Sequence, residues 1–86
     1  METAMARKDI SEGGRIAFLD EHKGWTIEVV TGYDVVADRW PVHAYVTAPG
    51  GVREKIAIHE PIRENQDDAL SHGFEAARWH VEHMAD

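Results

Sequence analysis

Cysteine is absent from this 86-residue sequence. Without thiols the chain cannot form disulfides, a thiol nucleophile or a thiolate metal site. A chain without disulfides is compatible with a reducing compartment, and we expect a cytoplasmic protein. The length corresponds to a single domain with one core.

Positive charge is scarce as well. Nine Lys and Arg stand against sixteen Asp and Glu, so the net charge is −7 with neutral histidines. This balance favours solubility and disfavours nonspecific binding to nucleic acids or anionic membranes. The first ten residues hold an Arg7-Lys8 pair but no long apolar run, so we expect neither a secretory signal nor a membrane-spanning helix.

Motifs for catalysis and metal binding are also missing. The sequence contains no H-E-x-x-H, no glycine-rich phosphate loop and no calcium loop, and neither Ser11 nor Ser71 has a nucleophile setting. His80 and His83 have a spacing at which two imidazoles can share an ion, but a third ligand is missing. We therefore expect no enzymatic activity, no metal and no cofactor.

The clearest pattern present is an amphipathic helix over residues 65–84. Its apolar positions recur at steps of four, three, four and three, which aligns Leu70, Phe74, Ala77, Val81 and Met84. Asn65, three residues before Asp68, is typical of a helix start. Such an apolar stripe needs an apolar surface to cover, and only the segments upstream supply one.

Four of these segments have the alternation or composition of strands, at residues 15–19, 25–30, 39–48 and 52–59. A polar turn is expected at 20–24 and a partly covered loop at 31–38. We predict an α+β fold with one four-stranded antiparallel sheet, in the order β-β-β-β-α, covered on one face by the C-terminal helix. Residues 1–14 are predicted to be a flexible tail, and 15–86 the domain.

The third and fourth strands should form a hairpin, because Pro49-Gly50-Gly51 is a typical tight connection. If Ala48 pairs with Val52, the opposite residues are Ala44 and Ile56, Val42 and Ile58, Tyr45 and Lys55, Thr47 and Arg53, and His43 and Ala57. The same register puts the carboxylate of Glu54 on the core side of the sheet, opposite Val46. Near the hairpin tip that carboxylate can still reach water.

The outer face of the helix carries a second stripe, formed by His72, Ala76, Trp79 and His83. A tryptophan is costly to leave in water, so either the chain folds over it or another molecule covers it. The first alternative is covering by a neighbouring loop or by the tail. The second predicts a partner contact, and our leading hypothesis is a small non-enzymatic intracellular interaction domain that forms a homodimer.

The opposite face of the sheet, which the helix leaves bare, is expected to carry Arg15, Thr26, Glu28, His43, Tyr45, Thr47, Arg53, Lys55 and His59. Tyr45 between Arg53 and Lys55 suits stacking of a base and neutralisation of a phosphate. A single-stranded nucleic-acid site of His43, Tyr45, Arg53 and Lys55 is therefore the alternative function. An ordinary solvated sheet face has a similar composition.

Four strands followed by a long helix, with Lys23-Gly24-Trp25 opening the second strand, resemble the single-stranded-DNA-binding transcriptional coactivator family. The resemblance implies dimerisation through the helix and binding of a DNA strand. This chain differs from the family in being acidic and in lacking basic, serine-rich loops. Nucleic-acid binding is for that reason the alternative and not the leading hypothesis.

Overall fold

The computed structural model describes residues 7–84, which form one six-stranded antiparallel sheet with a helix packed on one face. The strands are β1 (Lys8–Asp9), β2 (Ile16–His22), β3 (Trp25–Thr31), β4 (Trp40–Thr47), β5 (Arg53–Ile56) and β6 (Ile62–Arg63), and the helix is α1 (Gln66–Met84). Strands β1 to β5 lie in chain order, and β6 also pairs with β4. The α+β class, the antiparallel sheet and the C-terminal helix are thus confirmed.

The predicted count of four strands was too low. Strands β2 to β5 correspond to the four expected segments, and two strands of two residues each add to them. Strand β1 lies within the expected tail, where Lys8 pairs with Leu19 and Asp9 with Phe18. Strand β6 lies beyond the fourth predicted segment, which was expected to end at residue 59. Residues 1–6 lie outside the described residues, and flexibility of the tail stays a prediction.

A two-residue turn joins β2 to β3, where we predicted a longer polar turn at 20–24. Lys23 and Gly24 both have positive φ, at 53° and 82°. This is the geometry of a tight hairpin turn whose twist matches the flanking strands. Strand β2 therefore continues to His22, which pairs with Trp25.

The predicted register of the β4–β5 hairpin is confirmed over the length of β5. The paired residues are Ala44 and Ile56, Tyr45 and Lys55, Val46 and Glu54, and Thr47 and Arg53. The ladder then ends at Ile56, so the pairs predicted for Val42 and His43 do not extend it. Instead the Val42 N–H donates to the Pro61 carbonyl at 2.8 Å, and β6 pairs with the start of β4.

The core lies between α1 and the two strands it crosses, β3 and β4. From the helix, Leu70, Phe74, Ala77 and Val81 are buried as predicted, and they pack with buried residues of the sheet that include Ile27, Val29, Val42, Ala44 and Val46. Met84 was expected on the same stripe, but its side chain is 62% exposed. It lies at the C-terminal end of the helix, so the buried stripe ends one turn earlier, at Val81.

Two polar contacts determine where α1 begins. The Asp68 N–H donates to the Asn65 side-chain oxygen at 2.8 Å, as expected of an N-cap. The Asp68 carboxylate accepts hydrogen bonds from the Arg63 guanidinium, which lowers the pKa of Asp68. Because Arg63 belongs to β6, this short strand anchors the first turn of the helix to the sheet.

Arg7, the described residue that precedes β1, covers one side of the core. The guanidinium carbon of Arg7 lies 4.0 Å from the centre of the Phe74 ring, which is fully buried. An arginine can cover an aromatic face with its planar group while its remaining N–H groups reach solvent. One of them approaches the Asp20 carboxylate at 3.9 Å. The side chain of Arg7 therefore takes part in covering the contact between the helix and the sheet.

The helix can lie so close to the sheet because Gly73 has no side chain. A Cβ atom at Gly73 would be 2.5 Å from a methyl carbon of Val29 and 2.9 Å from one of Val42. Both distances are shorter than carbon atoms tolerate, and both valines are fully buried with little room to move. The helix and the sheet therefore meet at this glycine.

Gly73→Ala should lower the free energy of unfolding by about 1–2 kcal/mol, because overpacking outweighs the gain of about 1 kcal/mol in helix propensity. Ser71→Ala, at an exposed position two residues away, is the control and should change stability by less than about 0.5 kcal/mol. Urea unfolding measures both variants. A Gly73→Ala variant that is as stable as the Ser71→Ala variant would contradict the close contact.

Candidate interaction surfaces

The stripe predicted on the outer side of the helix lies on the side of α1 away from the sheet. Trp79 is 61% exposed, although indole is among the largest apolar groups in proteins. Its ring stacks on that of His83, with centroids 3.7 Å apart and planes inclined at 23°. Ala76 is half-buried beside them. The alternative in which a loop covers Trp79 does not occur among residues 7–84, where the indole stays 61% exposed.

Hydrogen bonds hold both histidines of the stripe in place. Since a carbonyl oxygen can only accept, Nδ1 of His83 donates to the Trp79 carbonyl at 2.8 Å, and Nε2 of His72 donates to the His59 carbonyl at 2.6 Å. The first bond fixes the imidazole against the indole. The second ties the stripe to the segment between β5 and β6.

The histidine pair of the last helical turns does not converge on a common point with other ligands. Within residues 7–84, no group of three or more His, Asp or Glu side chains is arranged to hold a metal ion. Glu82, which lies between the two histidines in sequence, instead contacts His22 of β2 at 2.8 Å. This hydrogen bond lowers the pKa of Glu82, and the nearby charge of Lys23 acts in the same direction.

The open face of the sheet carries a chain of side-chain contacts that links Arg15, the residue before β2, to strands β3, β4 and β5. The carboxylate of Glu28 accepts from Arg15 at 2.8 Å and from Arg53 at 3.0 Å. The guanidinium carbon of Arg53 in turn lies 3.7 Å from the centre of the Tyr45 ring. Two of the cations predicted on this face are therefore paired with a carboxylate, and one face of the aromatic ring has a guanidinium over it.

These contacts compete with the nucleic-acid site predicted for the same face. A base that stacks on the face of Tyr45 covered by Arg53 must displace that guanidinium, and a phosphate near Arg53 must compete with the charge of Glu28. His43 is a weak source of charge, because partial burial and the neighbouring Lys55 lower its pKa. Lys55 is the member of the predicted site that remains as an exposed cation.

The connection between β3 and β4 is a loop, as predicted, but its apolar side chains are exposed and not partly covered. Val35 and Val36 are 75% and 93% exposed. The Asp34 carboxylate accepts the backbone N–H groups of Val36 and Ala37, so the loop tip has a defined shape. The signal for this turn was present in the aspartate that opens it, since Asp side chains often hydrogen-bond two residues ahead.

Tyr33 and Trp40 stand at the base of this loop, with ring centroids 5.6 Å apart. The Tyr33 hydroxyl donates to the Asp38 carboxylate at 2.5 Å. This bond raises the pKa of Tyr33 above its ordinary value, because the phenolate cannot donate and is repelled by the carboxylates of Asp38 and Asp34.

Comparisons with protein-family models, with curated proteins and with solved structures found no match. The resemblance to single-stranded-DNA-binding coactivators therefore rests on the order of elements and on Lys23-Gly24-Trp25. Within residues 7–84, α1 lacks the sustained apolar character that a bilayer-crossing helix requires.

Asp38→Asn should lower the pKa of Tyr33, because the neutral amide accepts a weaker hydrogen bond and no longer repels the phenolate. The titration is best followed by tyrosinate absorbance in a Tyr45→Phe background, where Tyr33 is the remaining tyrosine. Tyr33 of the background protein should ionise at a higher pH than free tyrosine, and the added substitution should shift the curve to lower pH. Superimposable curves would contradict the hydrogen bond that closes the loop.

Proposed function

We propose that this protein is a small, non-enzymatic intracellular interaction domain that works as a homodimer, with two copies paired through the outer face of α1. The observation that carries the proposal is the 61% exposure of Trp79 at the centre of that face. Tryptophan is enriched at protein interfaces and is often among the residues that dominate binding energy. A second copy would remove the indole from water.

The surroundings of Trp79 suit such a contact. Ala76 is a small residue one turn before the indole, and His83 holds the ring in one orientation by stacking. A preorganised aromatic group loses little side-chain entropy on binding. The helix is also rigidly attached to its own sheet through Gly73 and Asp68, so the face it presents has a defined shape.

The charges beside the stripe favour one orientation of the two helices. His72, Ala76, Trp79 and His83 follow the steps of a heptad seam, and the charged or ionisable residues that flank it are Glu75, His80 and Glu82. In a parallel pair a residue at the position of Glu75 lies near the position five residues further along the other helix. Glu75 would then approach the partner's His80, whereas antiparallel pairing would bring Glu75 near the partner's Glu82.

Trp79→Ala should weaken self-association by at least about tenfold, because truncation of a central interface tryptophan typically costs more than ~1.4 kcal/mol. Sedimentation equilibrium measures the association constant. Ser71→Ala, which lies off the stripe on the same helix, is the matched control and should associate like the unmodified protein. At protein concentrations at which the monomer predominates, unfolding by urea should be nearly unchanged in both variants, since neither side chain is buried in one copy.

Two results would overturn the dimer. One is a monomer at concentrations of several hundred micromolar or above, which corresponds to an association too weak for a specific interface. The other is equal weakening by the Trp79 and Ser71 variants, which would place the contact elsewhere. The orientation is tested by Glu75→Lys combined with His80→Glu: the double variant should associate more strongly than Glu75→Lys alone.

Single-stranded nucleic-acid binding is the second candidate, and it is supported by Tyr45 and Lys55, which are cross-strand partners on the open face. Here Glu28→Gln is the informative variant, because it removes the carboxylate that neutralises Arg15 and Arg53. If the face binds oligonucleotides, Glu28→Gln should increase the affinity, and Tyr45→Ala combined with Lys55→Glu should abolish it. No binding at about 50 mM salt would reject this candidate.

A further inference from the structure

A cleft of about 350 Å³ lies on the helix side of the sheet, beside the β4–β5 hairpin. It is lined by strand and turn residues, namely Trp25, Val46, Ala48, Gly51, Val52 and Glu54. The cleft exists because α1 crosses β3 and β4 and does not extend over the first part of β5. Its volume falls within the range of about 300–1,000 Å³ typical of small-molecule sites.

The lining is apolar except for one carboxylate. Glu54 is paired with Val46 in the ladder, so its side chain projects to the same side of the sheet as the core. Its neighbours Arg53 and Lys55 project to the opposite side, and Arg53 is engaged by Glu28. Among residues 7–84, no ion pair or side-chain hydrogen bond engages the Glu54 carboxylate.

We propose that this cleft binds a small organic cation with an apolar body, such as an aromatic amine. The apolar body would pack against Trp25, Val46 and Val52, and the ammonium group would donate to the carboxylate of Glu54. A cation near an indole face gains further attraction from the ring quadrupole. The net charge of −7 favours the approach of a cation and opposes that of an anion.

The proposal does not depend on dimerisation through α1, because none of the lining residues belongs to the helix. Glu54 is exposed, so water solvates its carboxylate in the free protein although the side chain projects to the core side of the sheet. A carboxylate on the core side of a strand is costly unless it is solvated or paired. At the rim of an apolar cleft the same group provides the polar contact that orients a ligand.

Phenethylamine is a suitable probe, with the indole N–H resonance of Trp25 in NMR spectra as the readout and Trp25→Phe for its assignment. We expect a saturable shift of that resonance with a Kd on the order of 1 mM. The neutral analogue 2-phenylethanol should bind about tenfold more weakly, because a charge-assisted hydrogen bond is about twice as strong as a neutral one. No shift of the Trp25 resonance at about ten times that concentration would overturn the proposal.

Glu54→Gln should weaken phenethylamine binding by about tenfold and leave 2-phenylethanol binding unchanged. Glu21→Gln is the matched control, because it removes one carboxylate from an exposed position of β2 on the opposite face. It should leave the binding of both compounds unchanged. Equal weakening of amine binding by the two variants would show attraction by net charge alone and would overturn the assignment to Glu54.

Discussion

The contact of Gly73 with Val29 and Val42 is the constraint on which the rest of this structure depends. It sets how close α1 lies to the sheet, and by excluding a Cβ atom it also sets the rotation of the helix about its axis. Once Phe74 faces the sheet, the helical period of about 3.6 residues directs Trp79 to the opposite side. The exposed indole is therefore a consequence of the packing, and not an independent surface feature.

One helix also cannot cover a sheet of this width. Because α1 lies over β3 and β4, the sheet on either side of the helix can be covered only by other groups. On the β2 flank, Arg7 lies over Phe74 and approaches Asp20. On the β5 flank the cleft at Glu54 is left open. The difference between the two flanks explains why an apolar cleft lies on the hairpin side.

The parts of the fold that could be predicted from the sequence depend on local patterns. The apolar period of α1 and the Pro-Gly-Gly hairpin each specify their own structure within a few residues. Strand β2 was harder to delimit, because Asp20 and His22 are polar and resemble a turn. Their partners are Arg7 and Glu82, which lie far away in sequence. Strands β1 and β6 have two residues each, which is too short for any periodicity.

The candidate nucleic-acid site was incompletely predicted for a related reason. Tyr45, Arg53 and Lys55 can be placed together from one hairpin, but the effect of Glu28 requires knowing that β3 lies next to β4. Because β3 lies there, the carboxylate of Glu28 pairs with both Arg15 and Arg53 on the open face. On the helix side of the sheet, Glu54 lines an apolar cleft, and no arginine among the described residues pairs with its carboxylate. The resulting distribution of charge favours cations over polyanions as ligands of this protein.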